Sequence, residues 1–344
     1  MPVRHGTPRS AFAHRSFRWV FLGSFASNIG TWMQNVALQA FAYRLTHDAK
    51  LMGIVAFAQL GPMLVLSPFG GVVADRVDRK VVMVTAASVQ AAMSVALAVV
   101  ATGGKQASQP LIVGCVAVIG IAAALNAPAA QATVPALVPR EDLSGAVSLN
   151  SAQMNASRVL GPLLAVIPFL ENHTVVFLVN AATYLFVIAA VLLVPFDSAP
   201  AHRTDHPRPI GDLVAGVAEA RRDPVIGRAL ATVAAYSLCS LIFIYQLAGI
   251  ASDRFGLKDN GYRLLFAAFG LGAASGAIAV GTRLRAVDRT TLVRTGLAGF
   301  AMSLAVFALI TSPGLAYPVI AVVGFFYFIV ITALSTALQH EVSD

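Results

Sequence analysis

The chain has 344 residues, of which 57% are hydrophobic and only 12% charged, with a mean hydropathy of +0.75. A soluble domain carries roughly twice that share of charge, so a water-facing globule is excluded and an integral membrane protein is indicated. The net charge of +8 is dealt out between apolar runs instead of being gathered on one soluble face, which argues against nucleic acid as a partner.

A basic leader (Arg4, Arg9, Arg15, Arg18) precedes the first apolar run, 19–43. That run is too long for the core of a cleaved signal and carries Asn28, Gln34, Asn35 and Gln39, so it reads as a retained first span. Further runs of the ~20 apolar residues that a bilayer core requires fall at 51–72, 81–101, 111–134, 143–168, 174–195, 225–249, 262–282, 291–311 and 315–338. The expectation is an all-α membrane protein of about ten transmembrane helices, with the lipid bilayer as its first partner.

Cys115 and Cys239 both lie inside apolar runs, where cysteine packs as a small apolar side chain. The seven histidines lack metal-ligand spacing. No nucleophile–base motif and no phosphate-binding loop is present. An enzyme, a metal site and a cofactor are therefore not expected.

The longest polar stretch divides six spans from four. The resulting organisation is an N-terminal bundle at 1–195, a linker at 196–224 and a C-terminal bundle at 225–344. The linker opens Pro-rich; then Ile210, Leu213, Val214 and Val217 repeat at helical spacing against Asp212, Glu219, Arg221 and Arg222, as in a helix lying on a membrane surface. Placing both termini in the cytoplasm puts Lys and Arg on the inner segments by about three to one, the bias that sets membrane orientation.

The second span ends in a crowd of charge, "GGVVADRVDRK" at 70–80. Its segment "GVVADRVDRK" aligns with "GTRLRAVDRT" at 281–290, so that Gly71, Val77, Asp78 and Arg79 coincide with Gly281, Val287, Asp288 and Arg289. Both copies stand at the same end of an even-numbered span. Parallel repeats of six helices are a known transporter construction.

These residues carry a family resemblance. "GVVADRVDRK" is similar to the G-x-x-x-D-R-x-x-R-[RK] loop motif of the major facilitator superfamily. "FRWVFLGSFASNIGTWMQNVALQAFAYRLT" (17–46) and "APAAQATVPALVPREDLSGAVSLNSAQMNASRVLGPLL" (127–164) resemble its branch of bacterial siderophore, macrolide and multidrug exporters, the transmembrane secretion effectors. The resemblance implies two six-helix bundles in a bacterial inner membrane, exporting a small amphipathic molecule by alternating access. It also implies a gating latch made of Gly71, Asp75, Arg76, Arg79 and Lys80, with Arg158 near the inner end of the fifth span. A charge cluster at a membrane is costly unless paired. Asp75 is therefore expected to accept hydrogen bonds from a neighbouring helix N-terminus and to pair with Arg79 or Arg158.

Departures from the family pattern are Asp78, where many members have glycine, Arg285 in place of the repeat's carboxylate, and Ala165 and Val166 after the Gly161-Pro162 pair. Two halves offset by 210 would need about 420 residues. The expectation is therefore that helices 11 and 12 are absent, and the alternative reading is a truncated member that is inactive or needs a partner.

In the family's fold, spans 1, 4, 7 and 10 line the cavity. Here they offer Asn28, Thr31, Asn35 and Gln39; Asn126 and Gln131 around Pro128; Tyr236, Ser240, Phe243 and Gln246; and Phe328, Thr332, Ser335 and Gln339. Interhelical hydrogen bonding is the competing role for each of these residues. No carboxylate falls mid-span, so the expected pocket is neutral, with a proton as the candidate coupling ion and a monomer as the expected state if the chain is complete.

Overall fold

The computed structural model describes residues 6–165, 167, 172–196, 198–199, 211, 218, 221–222, 224–284 and 287–341. Among the described residues, all regular structure is helical. The expected linker helix at 210–222 and the Arg285 position lie largely or wholly outside them.

Among the described residues a short helix, α1 (Pro8–Ala13), precedes ten long ones: α2 (Arg15–Thr46), α3 (Ala49–Arg76), α4 (Arg79–Thr102), α5 (Gln109–Thr133), α6 (Leu143–Leu164), α7 (His173–Leu193), α8 (Pro224–Phe255), α9 (Asp259–Gly281), α10 (Arg289–Leu309) and α11 (Pro313–Glu341). The ten long helices fall on the ten expected spans. Eight are long and apolar enough to cross a membrane by length and composition. The other two, α2 and α6, have 32 and 22 residues. At 1.5 Å per residue each exceeds the ~30 Å of a bilayer core. Their lower hydropathy comes from polar ladders, including Asn28, Gln34, Asn35 and Gln39 on α2, and Asn150, Gln153, Asn155 and Ser157 on α6.

Local chemistry explains the helix ends. Asn172 and Asp78 accept backbone N–H bonds as N-caps of α7 and α4. Pro8, Pro110 and Pro313 occupy first-turn positions, where a missing N–H costs nothing. Internal prolines at 62, 68, 128, 162 and 318 sit inside long helices, which bundles tolerate because neighbours re-satisfy the freed carbonyls.

The chain forms two compact units. The first holds the described residues within Met1–Thr46, Lys50–Gly161 and Asn172–Asp212; the second holds those within His47–Ala49, Pro162–Glu171 and Leu213–Asp344. In the first unit α4 packs along α7 and α5, and α2 along α7. Lipid gives no hydrophobic drive between helices, so contact must come from close backbone approach at small residues. Gly161 provides one such approach: a Cβ there would stand 2.5 Å from Trp32 Cβ and 2.9 Å from Ile29 O on α2.

In the second unit α11 packs along α9 and α10. At this contact Gly272 lies against the Ala321 carbonyl and Gly324 against the Phe269 carbonyl, with no room for a side chain at either.

Candidate functional site

The charge crowd at 75–80 ties helix ends together within the first unit. Asp78 accepts from Lys80 N at 2.8 Å and Val81 N at 3.4 Å, and its other oxygen accepts from Ser198 Oγ at 2.7 Å. The Ser198 hydroxyl, the two backbone amides and the Lys80 charge together pull the Asp78 carboxyl below its ordinary value, against an opposing push from partial burial. Lys80 Nζ donates to the Val194 carbonyl at 2.9 Å, just past α7, and lies 4.6 Å from the centre of the Phe196 ring. Arg79 Nη1 donates to the Ala132 carbonyl at 3.3 Å, near the end of α5. Last-turn carbonyls have no intrahelical donors and form the negative end of the helix dipole, so both cations sit where such a charge is stabilised.

This arrangement corrects the expected pairing of Asp75. Among the described residues Asp75 has no hydrogen-bond or ionic partner. Arg79 is turned to α5, and Arg158 stacks 5.6 Å from the Trp32 ring centre. A carbonyl and an aromatic face have taken the cations that were expected to hold the carboxylate. Arg76 is exposed, and Gly71 and Gly281 have open space where a Cβ would stand.

Asp288 does for α10 what Asp78 does for α4. It is the N-cap, accepting from Thr291 N at 3.1 Å. The backbone angles of the two aspartates nearly coincide, at φ −52°, ψ 125° and φ −55°, ψ 137°. The shared V-D-R is therefore a helix start used twice, at the third and ninth spans. The Arg289 side chain is not among those described.

The polar stripes divide between bonded and unbonded groups. On α2, Thr31 Oγ1 lies 3.1 Å from Tyr184 Oη, and Asn35 Oδ1 accepts from Gln59 Nε2 at 2.7 Å. Those two residues serve contacts with α7 and α3. Asn28 has no partner among the described residues, and the amide of the buried Gln39 has both its oxygen and its nitrogen unbonded. On α5, Asn126 Oδ1 is buried and unbonded, while Gln131 is exposed.

In the second unit Tyr236 Oη donates to the Tyr327 carbonyl at 2.9 Å, and its ring packs against Phe300 and Tyr327. Ser240 Oγ bonds its own helix at Ser237 O, and Gln246 Nε2 reaches the Ala49 carbonyl at 3.4 Å, both ends within the second unit. Phe243 is packed on Phe307. Thr332 is half-buried and not free, and the side chains of Ser335 and Gln339 lie outside the described ones.

Sequence reasoning missed a buried polar knot in the first unit. Asn180 Nδ2 donates to Gln34 Oε1 at 2.9 Å, with Ser94 Oγ at 3.4 Å, joining α7, α2 and α4. All three residues are buried. The available signal was the lone amide of the sixth span, whose bonding needs hydrocarbon cannot meet. The Asp78 and Asp288 caps were equally readable, since an aspartate directly before an apolar helical run is a start signal.

Comparison with known proteins agrees with this architecture. The chain is 25% identical over 333 residues to the enterobactin exporter EntS of Shigella boydii serotype 4, covering 95% of this chain and 76% of that protein. It is 29% identical over 179 residues to the staphyloferrin A transporter of Staphylococcus aureus (strain NCTC 8325), covering 52% of this chain and 45% of that one. The crystal structure of the nucleoside transporter NupG superposes with a TM-score of 0.72 at 12% identity, over 95% of this chain and 82% of that one, which shows the fold alone. The sequence profile of the transmembrane secretion effectors matches residues 6–344. This multi-pass membrane chain belongs to that family of the major facilitator superfamily, whose members are transporters and not enzymes.

Proposed function

We propose that the chain is a secondary transporter of a bacterial inner membrane that exports a small amphipathic molecule of siderophore or drug type, working by alternating access of its two bundles. The observation that carries this reading is the set of unmet amide groups on α2 and α5. Gln39 and Asn126 are polar groups inside a membrane protein with hydrogen-bonding capacity left over among the described residues. Such groups are costly unless something binds them. A neutral substrate with donors and acceptors on an apolar body supplies what they lack.

In this reading 1–195 and 225–344 are the two bundles and 196–224 the cytoplasmic linker. Asn28, Thr31, Asn35, Gln39, Asn126, Gln131, Tyr236, Ser240, Gln246 and Thr332 face the transport path, and the cluster of Asp75, Arg76, Arg79, Lys80 and Arg158 controls its cytoplasmic side. Asp75, without a partner among the described residues, is the carboxylate available to take one as the transporter changes state. A proton gradient drives export.

The test is flux through the purified full chain in liposomes, offering enterobactin, staphyloferrin A and an amphipathic dye with and without a pH gradient. Flux of at least one compound is expected. Gln39→Ala should weaken its apparent affinity about three- to tenfold, the scale of one neutral hydrogen bond, while leaving the protein folded. Asp75→Asn should lower the maximal rate with affinity unchanged. Absence of flux for all three compounds would remove the transport reading; flux indifferent to Gln39→Ala would make that amide a packing residue.

A further inference from the structure

A lateral groove of about 530 Å³ runs between α2 and α7 in the first unit. Its volume is that of a small-molecule site. Its floor is made of small residues. At Gly23 the two helices come so close that a Cβ would stand 2.8 Å from Phe186 O and 3.0 Å from Ala190 Cβ. Its walls are large and apolar: Trp19 is 51% exposed, Phe186 60% and Leu193 80%. Contiguous exposed apolar surface of this kind marks a binding face.

Length and charge identify the occupant. On α2 the lining runs from Arg15 to Ala26, and on α7 and the two residues after it from Phe186 to Pro195. Eleven steps of 1.5 Å give about 16 Å, and nine give about 14 Å, so the groove is one bilayer leaflet deep. At its mouth stands Arg15, exposed and with no hydrogen-bond or ionic partner among the described residues. Val194 also lines the groove, and its carbonyl already accepts from Lys80 Nζ. Among the described residues, no Asp or Glu lines the groove. Trp19 lies one turn deeper than Arg15, where an amphipathic ring sits at a membrane interface.

We propose that this groove is a binding site for an anionic phospholipid, with the phosphate at Arg15 and one acyl chain lying along the Gly23 floor between Trp19 and Phe186. The site takes its lipid from the leaflet that meets the start of α2. It shares no residue with the transport path proposed above and does not depend on what the chain transports.

The chain has two tryptophans, so Trp32→Phe leaves Trp19 as the sole reporter inside the groove. The full chain is reconstituted in phosphatidylcholine containing a fixed minor share of acyl-brominated lipid, either phosphatidylglycerol or phosphatidylcholine. Brominated phosphatidylglycerol should quench Trp19 with an apparent affinity about fivefold higher, the scale of one arginine beside an anionic headgroup. Adding Arg15→Gln should bring the two lipids to parity. Native mass spectrometry reads the same selectivity without altering Trp32: phosphatidylglycerol should be retained by the unmutated chain and lost from Arg15→Gln. Equal quenching by both lipids, or selectivity unchanged by Arg15→Gln, would overturn the proposal. Quenching by neither, together with disulfide-linked dimers of Leu193→Cys, would assign the groove to a second copy of the chain and overturn it as well.

Discussion

Asp78 shows how one side chain decides where a helix begins and what else is fastened there. Its carboxylate caps α4 and holds the Ser198 hydroxyl, while Arg79 N donates to the Ser198 carbonyl at 3.0 Å. Replacing it by alanine removes the cap and the tether together. Asp78→Ala should cost ~1–2 kcal/mol, the usual range for losing a good N-cap, and should lower the midpoint of detergent-solubilised unfolding. The folded carboxyl lies below its ordinary value, so its stabilisation is fully present above the unfolded aspartate range. It is lost only as pH falls through the depressed folded value. The gap between wild type and Asp78→Ala should therefore be flat around neutrality and close in acid; a gap that widened in acid would contradict the assignment. Asp288→Ala, which removes a cap that has no tether to a distant segment among the described residues, should cost less.

Among the elements, α1 is the one the hydropathy pattern hid, because six residues are too few to show a period. Its start is nonetheless chemical: Thr7 and Ser10 form a reciprocal capping box with Pro8 in the first turn. Its docking is tertiary and has no local sequence signal. Asp142, almost fully buried, accepts from Gly6 N at 2.9 Å and pairs with His14 Nε2 at 2.8 Å, 128 residues away in sequence. Ala11, Phe17, Val138 and Ala146 close the apolar layer beneath. Asp142→Ala leaves two donors without their shared acceptor, at ~1–3 kcal/mol. Amide exchange and proteolysis should accelerate over residues 6–14 while α4 and α7 stay protected. If α1 remains as protected as before, the clamp contributes nothing. The long helices were legible for the opposite reason, since a bilayer imposes their length and composition. The stripes were legible as polar faces but not as partnerships: nothing along the chain says that Asn35 meets Gln59 while Gln39 meets no described partner.

For the molecule as a whole, orientation rests on where cations stand, and the structure sharpens that argument. Several arginines on the expected outer side are not free anchors. Arg254 bonds the Ile310 and Ala308 carbonyls beyond and at the end of α10, and Arg263 is fully buried, donating to the Ala165 carbonyl. A guanidinium consumed by a helix end or by burial serves packing before it serves topology. Arg79 and Lys80 are likewise consumed on the inner side, but exposed Arg76, Arg140, Arg221, Arg222 and Arg283 remain there. The bias toward the side carrying the starts of α2, α4 and α10 therefore survives the correction, and that side should be cytoplasmic. A background lacking Cys115 and Cys239 is used, so that only the introduced thiol can react. In it, Gln106→Cys, in the exposed turn after α4, should be labelled by an impermeant maleimide on intact cells, whereas Thr282→Cys, in the exposed turn after α9, should be labelled only after permeabilisation. The reverse pattern would invert the molecule, place the Asp78 cluster outside, and turn the proposed export into uptake.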